Sequence, residues 1–149
     1  MTLSEQINLD LKAAMKSGDK TRLETLRLLR AHFIELSKRG EGQTITPDEE
    51  LSVLTAAIKK RKEAIEIYEK GGRQDLVQQE RSELDIISSY LPKQLSQDEA
   101  AQFIDRIIRE TGAASPKDFG KVMPLAMKEL KGKIDGKVVQ ELVKTKLGG

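Results

Sequence analysis

The sequence predicts an all-α protein, with a larger helical domain carrying a long antiparallel helix pair over residues 1–94 and a small three-helix bundle over 95–149. Three observations carry that prediction. Apolar residues recur every three or four positions nearly from end to end, the spacing that gathers them on one face of a 3.6-residue helix. No segment of length alternates apolar and polar residues with the period of two that strands require. Helix start and stop signals, hydroxyl or acidic caps ahead of a stripe and glycine behind it, divide the chain at intervals of one helix.

The first helix starts behind Thr2, with Glu5 three residues on as a capping box, and carries Leu3, Ile7, Leu11 and Ala14 to a stop at Ser17-Gly18. Asp19 caps the second, in which Leu23, Leu26, Leu29, Phe33 and Leu36 form one stripe closed by Gly40 and Gly42. Thr46-Pro47-Asp48-Glu49 starts a long third helix: a hydroxyl cap, a proline where no amide hydrogen is needed, and acids that the helix dipole favours. Leu51, Leu54, Ile58, Ile65 and Tyr68 mark its inner side, and Gly71-Gly72 ends it. A fourth helix from about Arg73 to Tyr90 places Val77, Leu84, Ile87 and Leu91 at the same spacing, so the third and fourth fold back as an antiparallel hairpin.

Tyr90-Leu91-Pro92-Lys93-Gln94-Leu95 breaks the pattern, and Ser96 with Glu99 opens a new capping box, which sets the domain boundary here. The fifth helix presents Ala100, Phe103, Ile104, Ile107 and Ile108 and ends at Gly112. Ser115-Pro116 restarts the chain as cap and first helical residue, and Phe119, Val122, Leu125, Ala126 and Leu130 line a sixth helix. Pro124 lies within it and predicts a kink or a second start. Gly132 stops that helix, Asp135 caps a seventh, and Val138, Leu142, Val143 and Leu147 face inward.

Composition narrows the function classes. At 149 residues, 38% hydrophobic and 34% charged, the chain can bury a core. With no cysteine, disulfides, thiol chemistry and cysteine-ligated zinc are excluded. His32 is the single histidine and stands in a helical stripe without a partner for general-base work, so a packed or solvated ring is the expectation. No apolar run approaches the roughly 20 residues of a bilayer span, and the start lacks the features of a signal peptide, so the expected location is the cytosol, away from membranes. The net charge of +2 is too small to argue for nucleic acid by itself, but it is unevenly placed. Residues 1–94 hold sixteen basic and sixteen acidic side chains, residues 95–149 ten and eight, and Lys117 to Lys146 alone holds eight lysines against four acids.

No acid/base pair, metal-ligand spacing, P-loop, dinucleotide fingerprint or nucleophile elbow is present, so neither a catalytic residue nor a cofactor or metal is expected. Lys59-Lys60-Arg61-Lys62 fans around the third helix at about 100° per residue and reads as a solvated face with intrahelical pairs to Glu63 and Glu66, phosphate contact being the alternative. Glu80 and Glu83, one turn apart without a histidine, read as a solvated pair. Gly132-Lys133-Ile134-Asp135-Gly136-Lys137 lacks the order of a Walker loop and its strand. It does place Lys131, Lys133 and Lys137 around a helix amino terminus whose free amides suit an anion. The helix-dipole and solubility roles of lysine and the stop role of glycine are the plainer explanation. With 3% aromatic residues, base stacking is disfavoured relative to backbone and shape recognition of a folded RNA.

The segment AIKKRKEAIEIYEKGGRQDLVQQERSELDIISSYLPKQLS, residues 57–96, the ending GKVMPLAMKELKGKIDGKVVQELVKTKL and the early DLKAAMKSGDKTRLETLRLLRA together resemble the bacterial YqeY-like family, over essentially the whole chain. Pro124 stands where a small residue is expected. That family is similar to the carboxy-terminal tail of GatB, a subunit of the glutamine-dependent amidotransferase acting on misacylated Glu-tRNA(Gln) or Asp-tRNA(Asn). The resemblance implies a helical domain followed by a three-helix bundle, the counterpart of a tail that engages tRNA. It also carries an association with carbon–nitrogen ligase activity using glutamine as amide donor, although the chemistry of that enzyme belongs to parts other than the tail. On the resemblance, the possible tRNA contacts are Lys121, Lys128, Lys131, Lys133 and Lys137, with Gly132 and Gly136 permitting close approach. A protein-interaction adaptor whose long third and fourth helices dock on an aminoacyl-tRNA synthetase or an amidotransferase subunit, and a participant in amide transfer, remain the alternatives.

Overall fold

The computed structural model describes residues 1–38 and 44–148, which form helices and turns with no strand among them. The helices are α1 (Leu3–Ser17), α2 (Lys20–Ser37), α3 (Pro47–Lys70), α4 (Gln74–Ser88), α5 (Gln97–Thr111), α6 (Phe119–Leu130) and α7 (Gly136–Lys146), with a 3-10 turn at Pro116–Asp118. The chain divides into two compact units, Met1–Leu91 and Pro92–Gly149. Gly40 and Gly42, expected to close the second helix, lie outside the described residues.

In the first unit the expected caps form. Thr2 and Thr46 each accept the amide of the glutamate three residues on, at 3.1 Å, and Glu5 and Glu49 return a carboxylate to the cap's own amide. Gly18 takes φ +75°, the left-handed conformation that lets α1 end and α2 begin two residues later, at Lys20. Gly72, at φ +70°, turns the chain from α3 into α4. The fold-back is antiparallel: Arg81 reaches Glu69 at 2.6 Å and, further along, Arg61 stands 3.6 Å from Glu83. Ile7, Leu11, Leu26, Leu29, Phe33, Leu54, Ile58 and Ile87 form the core, with Leu3, Leu23, Leu84, Tyr90 and Leu91 packed against it.

Several positions depart from the expected stripes. Leu51, Ile65 and Tyr68 are only half-buried, whereas Ala57 and the charged Glu50 and Arg61 are buried. His32 is exposed. In place of an α-helix starting at Pro116, the chain makes one 3-10 turn and α6 begins at Phe119, because the Asp118 carboxylate turns back to accept the amides of Ala114 at 2.9 Å and Ser115 at 3.3 Å. The helix then runs through Pro124 without a second start. Proline lacks the amide that would reach Gly120, and Gly120, with open space where a Cβ would stand, offers no side chain to obstruct that turn.

The second unit is a three-helix bundle. Ser96 and Glu99 form the expected reciprocal cap, at 3.1 and 3.2 Å, and Gly112 ends α5 at φ +70°. The bundle core comprises Ala100, Ile104, Ile107, Val122, Ala126, Leu130, Val139, Val143 and Leu147. Two expectations shift by a fraction of a turn: Val139 rather than Val138 is fully buried on α7, and Leu125 is 44% exposed on α6. Ile104 lies fully buried between the helices, and burying a side chain of that size from water stabilises by about 1.5–3 kcal/mol.

Candidate functional site

The lysine-rich turn between α6 and α7 is built by its backbone. Lys131 caps α6, its amide donating to Met127 at 3.0 Å, and Gly132 takes φ +76°, a conformation that only glycine adopts without strain. The Lys133 amide then donates back to Leu130 at 2.9 Å. Two bonds tie the turn to the segment entering α5. Leu95 donates its amide to the Lys133 carbonyl at 2.8 Å, and the Gln94 side-chain amide donates to the carbonyls of Gly132 at 2.7 Å and Pro92 at 2.9 Å. A turn so held presents its side chains from a fixed frame.

At the start of α7 the Asp135 carboxylate accepts the Lys137 amide at 2.9 Å, and its carbonyl accepts those of Val138 and Val139 at 3.0 and 3.2 Å. These amides are therefore already engaged, and a negative charge already sits at the positive end of the helix dipole. A Cβ on Gly136 would meet Met127 Cε at 3.5 Å, an ordinary van der Waals contact with a half-buried side chain. Lys121, Lys128 and Lys137 are exposed, while Lys131, Lys133, Gly132 and Gly136 are half-buried. Lys121 and Lys128 stand two helical turns apart on one face of α6. Of the remaining cations, Lys146 pairs with Asp105 at 2.7 Å and Lys144 lies 6.0 Å from the Phe119 ring centroid. The Asp118 carboxyl is held below its usual range first by the Ala114 amide, then by that of Ser115, with nearby Lys121 adding to the effect.

Two polar clusters in the first unit were not legible as sites. The expected solvated basic face at Lys59–Lys62 is corrected at Arg61, which is 7% exposed while Lys59, Lys60 and Lys62 face water. Its guanidinium donates to the Ala57 carbonyl at 3.1 Å and lies 3.6 Å from Glu83, and Nε has no hydrogen-bond partner. Glu80 and Glu83 are half-buried beside it rather than fully solvated, and the Glu80 carboxyl is raised above its ordinary value by burial and by the neighbouring Glu83 charge. In the second cluster Tyr90 donates its hydroxyl to Asp10 at 2.5 Å and accepts from Arg22 at 3.4 Å, with Arg22 and Asp10 paired at 3.8 Å. Burial and the Asp10 carboxylate push the Tyr90 hydroxyl well above its ordinary value. The sequence signal for both clusters was present only in part: a charged residue standing on the apolar stripe of its own helix, as Arg61 does one turn beyond Ala57 and Ile58. Among the described residues no group of three metal-ligating side chains is gathered, and no helix is long and apolar enough to cross a membrane.

A family model described as "Yqey-like protein" matches residues 4–147. "Altered inheritance of mitochondria protein 41, mitochondrial" of Pyrenophora tritici-repentis is 30% identical over 148 residues, which is 96% of this chain and 80% of the relative. An uncharacterized protein of Schizosaccharomyces pombe is 34% identical over 94 residues, covering 63% of this chain and 76% of its own length. A protein of Lachancea thermotolerans with the same name as the first is 34% identical over 82 residues, 55% of this chain and 44% of its own.

Proposed function

This chain belongs to the Yqey-like protein family, and from that premise we propose that it acts as a non-catalytic tRNA-binding or tRNA-enzyme accessory module in the cytosol. The observation that carries the reading is the partition of charge. Pro92–Gly149 holds eleven basic and eight acidic residues, net +3, whereas Met1–Leu91 holds fifteen and sixteen, net −1. A cationic bundle whose lysines surround one rigid turn suits a phosphate backbone, and the similarity of that bundle to the GatB tail supplies tRNA as the ligand. The names of the relatives state an inheritance trait and an organelle but no reaction, and subcellular fractionation tests the location. Gel-shift titration with tRNA over a salt series tests the binding. Affinity should fall as salt rises, and the triple variant K131E/K133E/K137E should bind at least about tenfold more weakly. Absence of a shift at low salt, or a variant that binds like the wild type, sinks the reading.

A second reading is a protein-interaction adaptor for a synthetase or an amidotransferase subunit. It is favoured by the large apolar side chains left exposed on the first unit, Leu9, Met15, Leu28, Ile34 and Ile67. Pull-down with nuclease treatment separates the two, since partners that vanish with the RNA are not held by protein contact. Participation in glutamine-dependent amide transfer on misacylated tRNA is tested by running that reaction with and without this chain. An unchanged rate and product removes the idea.

A further inference from the structure

We infer, resting on the RNA-binding reading above, that the outward face of α6 is the contact surface and that it takes base-paired RNA, recognised through its backbone, rather than unpaired bases. The accounting of aromatic rings carries the second half of that statement. The chain has three phenylalanines, two tyrosines and no tryptophan. Phe33 is buried, and Tyr68, Tyr90, Phe103 and Phe119 are half-buried. Phe103 lies beneath the Arg106 guanidinium at 5.2 Å, Phe119 is approached by Lys144, and the Tyr90 hydroxyl is held by Asp10. No phenylalanine or tyrosine ring stands exposed as a platform, and the exposed imidazole of His32 belongs to α2 of the first unit and not to this bundle, whereas single-strand recognition relies on ring platforms for affinity.

The first half follows from what the bundle leaves open. The amides at the start of α7 are engaged by Asp135, so phosphate recognition falls to side chains. On α6, Val122, Ala126 and Leu130 face the core, which turns Lys121, Pro124, Leu125 and Lys128 outward as one stripe. Lys121 and Lys128 are about 10 Å apart along the helix axis. The acids of this helix and its entry are occupied, Glu129 by Arg106 and Asp118 by the amides of Ala114 and Ser115. Two exposed cations flanking an exposed leucine match a duplex that offers phosphates on both sides of a wide, shallow minor groove lined by sugars. The lysines take the phosphates and Leu125 lies against the sugar edges.

Fluorescence anisotropy of the full chain with a base-paired hairpin RNA, and with an unstructured single strand of equal length, tests this over a salt series. The hairpin should bind at least about tenfold more tightly, the gap expected where stacking contributes nothing to the single strand. K121A/K128A should lower the slope of log affinity against log salt by about 2, while L125A weakens hairpin binding and leaves the slope unchanged. Circular dichroism confirms that each variant is folded, and K121R/K128R should restore binding. A single strand bound as tightly as the hairpin, or a K121A/K128A variant with unaltered affinity and slope, overturns the inference while leaving RNA binding intact. Binding of neither RNA at low salt removes both it and the reading it rests on, and capture of an acidic amphipathic peptide on this face in place of RNA reassigns the face to a protein partner.

Discussion

Arg61, Glu50 and Thr25, the polar side chains buried among the described residues, all belong to Met1–Leu91, whereas the core of Pro92–Gly149 is apolar throughout. In the first unit a charge is buried only with a partner from another helix. Glu50 accepts the Ser4 amide at 3.2 Å, and Arg61 of α3 meets Glu83 of α4. Thr25 is satisfied within its own helix, donating to the Thr21 carbonyl at 2.8 Å. In the second unit the ionic contacts of Arg106 with Glu129 and Glu110 and of Lys146 with Asp105 lie at the surface, and the cations outnumber the acids. The contrast teaches that similar helix grammar supports two solutions. One buries charges of its long helices against partners from other helices. The other packs short helices by shape and keeps its ion pairs at the surface.

The comparison can be broken most forcefully at Arg61. Truncation by Arg61→Ala should destabilise the first unit by about 4 kcal/mol, because it strands half-buried Glu80 and Glu83 without their cation. Urea unfolding read by amide hydrogen exchange assigns the loss to one unit, and a loss below about 1 kcal/mol would show the cluster to be incidental. In the second unit the comparable blow is apolar: Ile104→Ala should cost about 3 kcal/mol, and exchange should rise in α5, α6 and α7.

Tyr90→Phe removes a hydroxyl that joins Asp10 and Arg22 and should cost about 1.5 kcal/mol at neutral pH. Its pH dependence has a definite sign. A hydroxyl whose folded value is raised contributes fully below the unfolded value of about 10 and loses that contribution as pH rises further, so wild type and variant should converge above about pH 10. Removing a cap hydroxyl, by Thr46→Ala in one unit or Ser96→Ala in the other, should cost about 1 kcal/mol in each, a control for the shared grammar. The smallest effect is a gain. Because the Glu80 carboxyl is raised, its ionisation at neutral pH opposes folding, and Glu80→Gln should stabilise the first unit by a fraction of a kcal/mol at pH 7 and not below the ordinary carboxylate range.

The all-α class, the capping boxes at Thr2, Thr46 and Ser96, the glycine stops at Gly18, Gly72 and Gly112 and the greater part of both cores were readable along the chain. Each depends on residues within one or two turns of one another, which is the range over which hydrogen-bond capping, backbone conformation and helical periodicity act. What could not be read depends on partners far away in sequence. Arg61 belongs inside only because Glu83 arrives from another helix, Tyr90 is fixed by Asp10 eighty residues earlier, and the basic turn is held by Gln94 and Leu95 from the far side of α5. Leu125 points outward and Val139 inward because the three-helix packing selects the angle of each stripe, a choice of a fraction of a turn that periodicity leaves open. Local chemistry along the chain made the helices, and contacts between helices settled which charges are buried and which side of each helix faces outward.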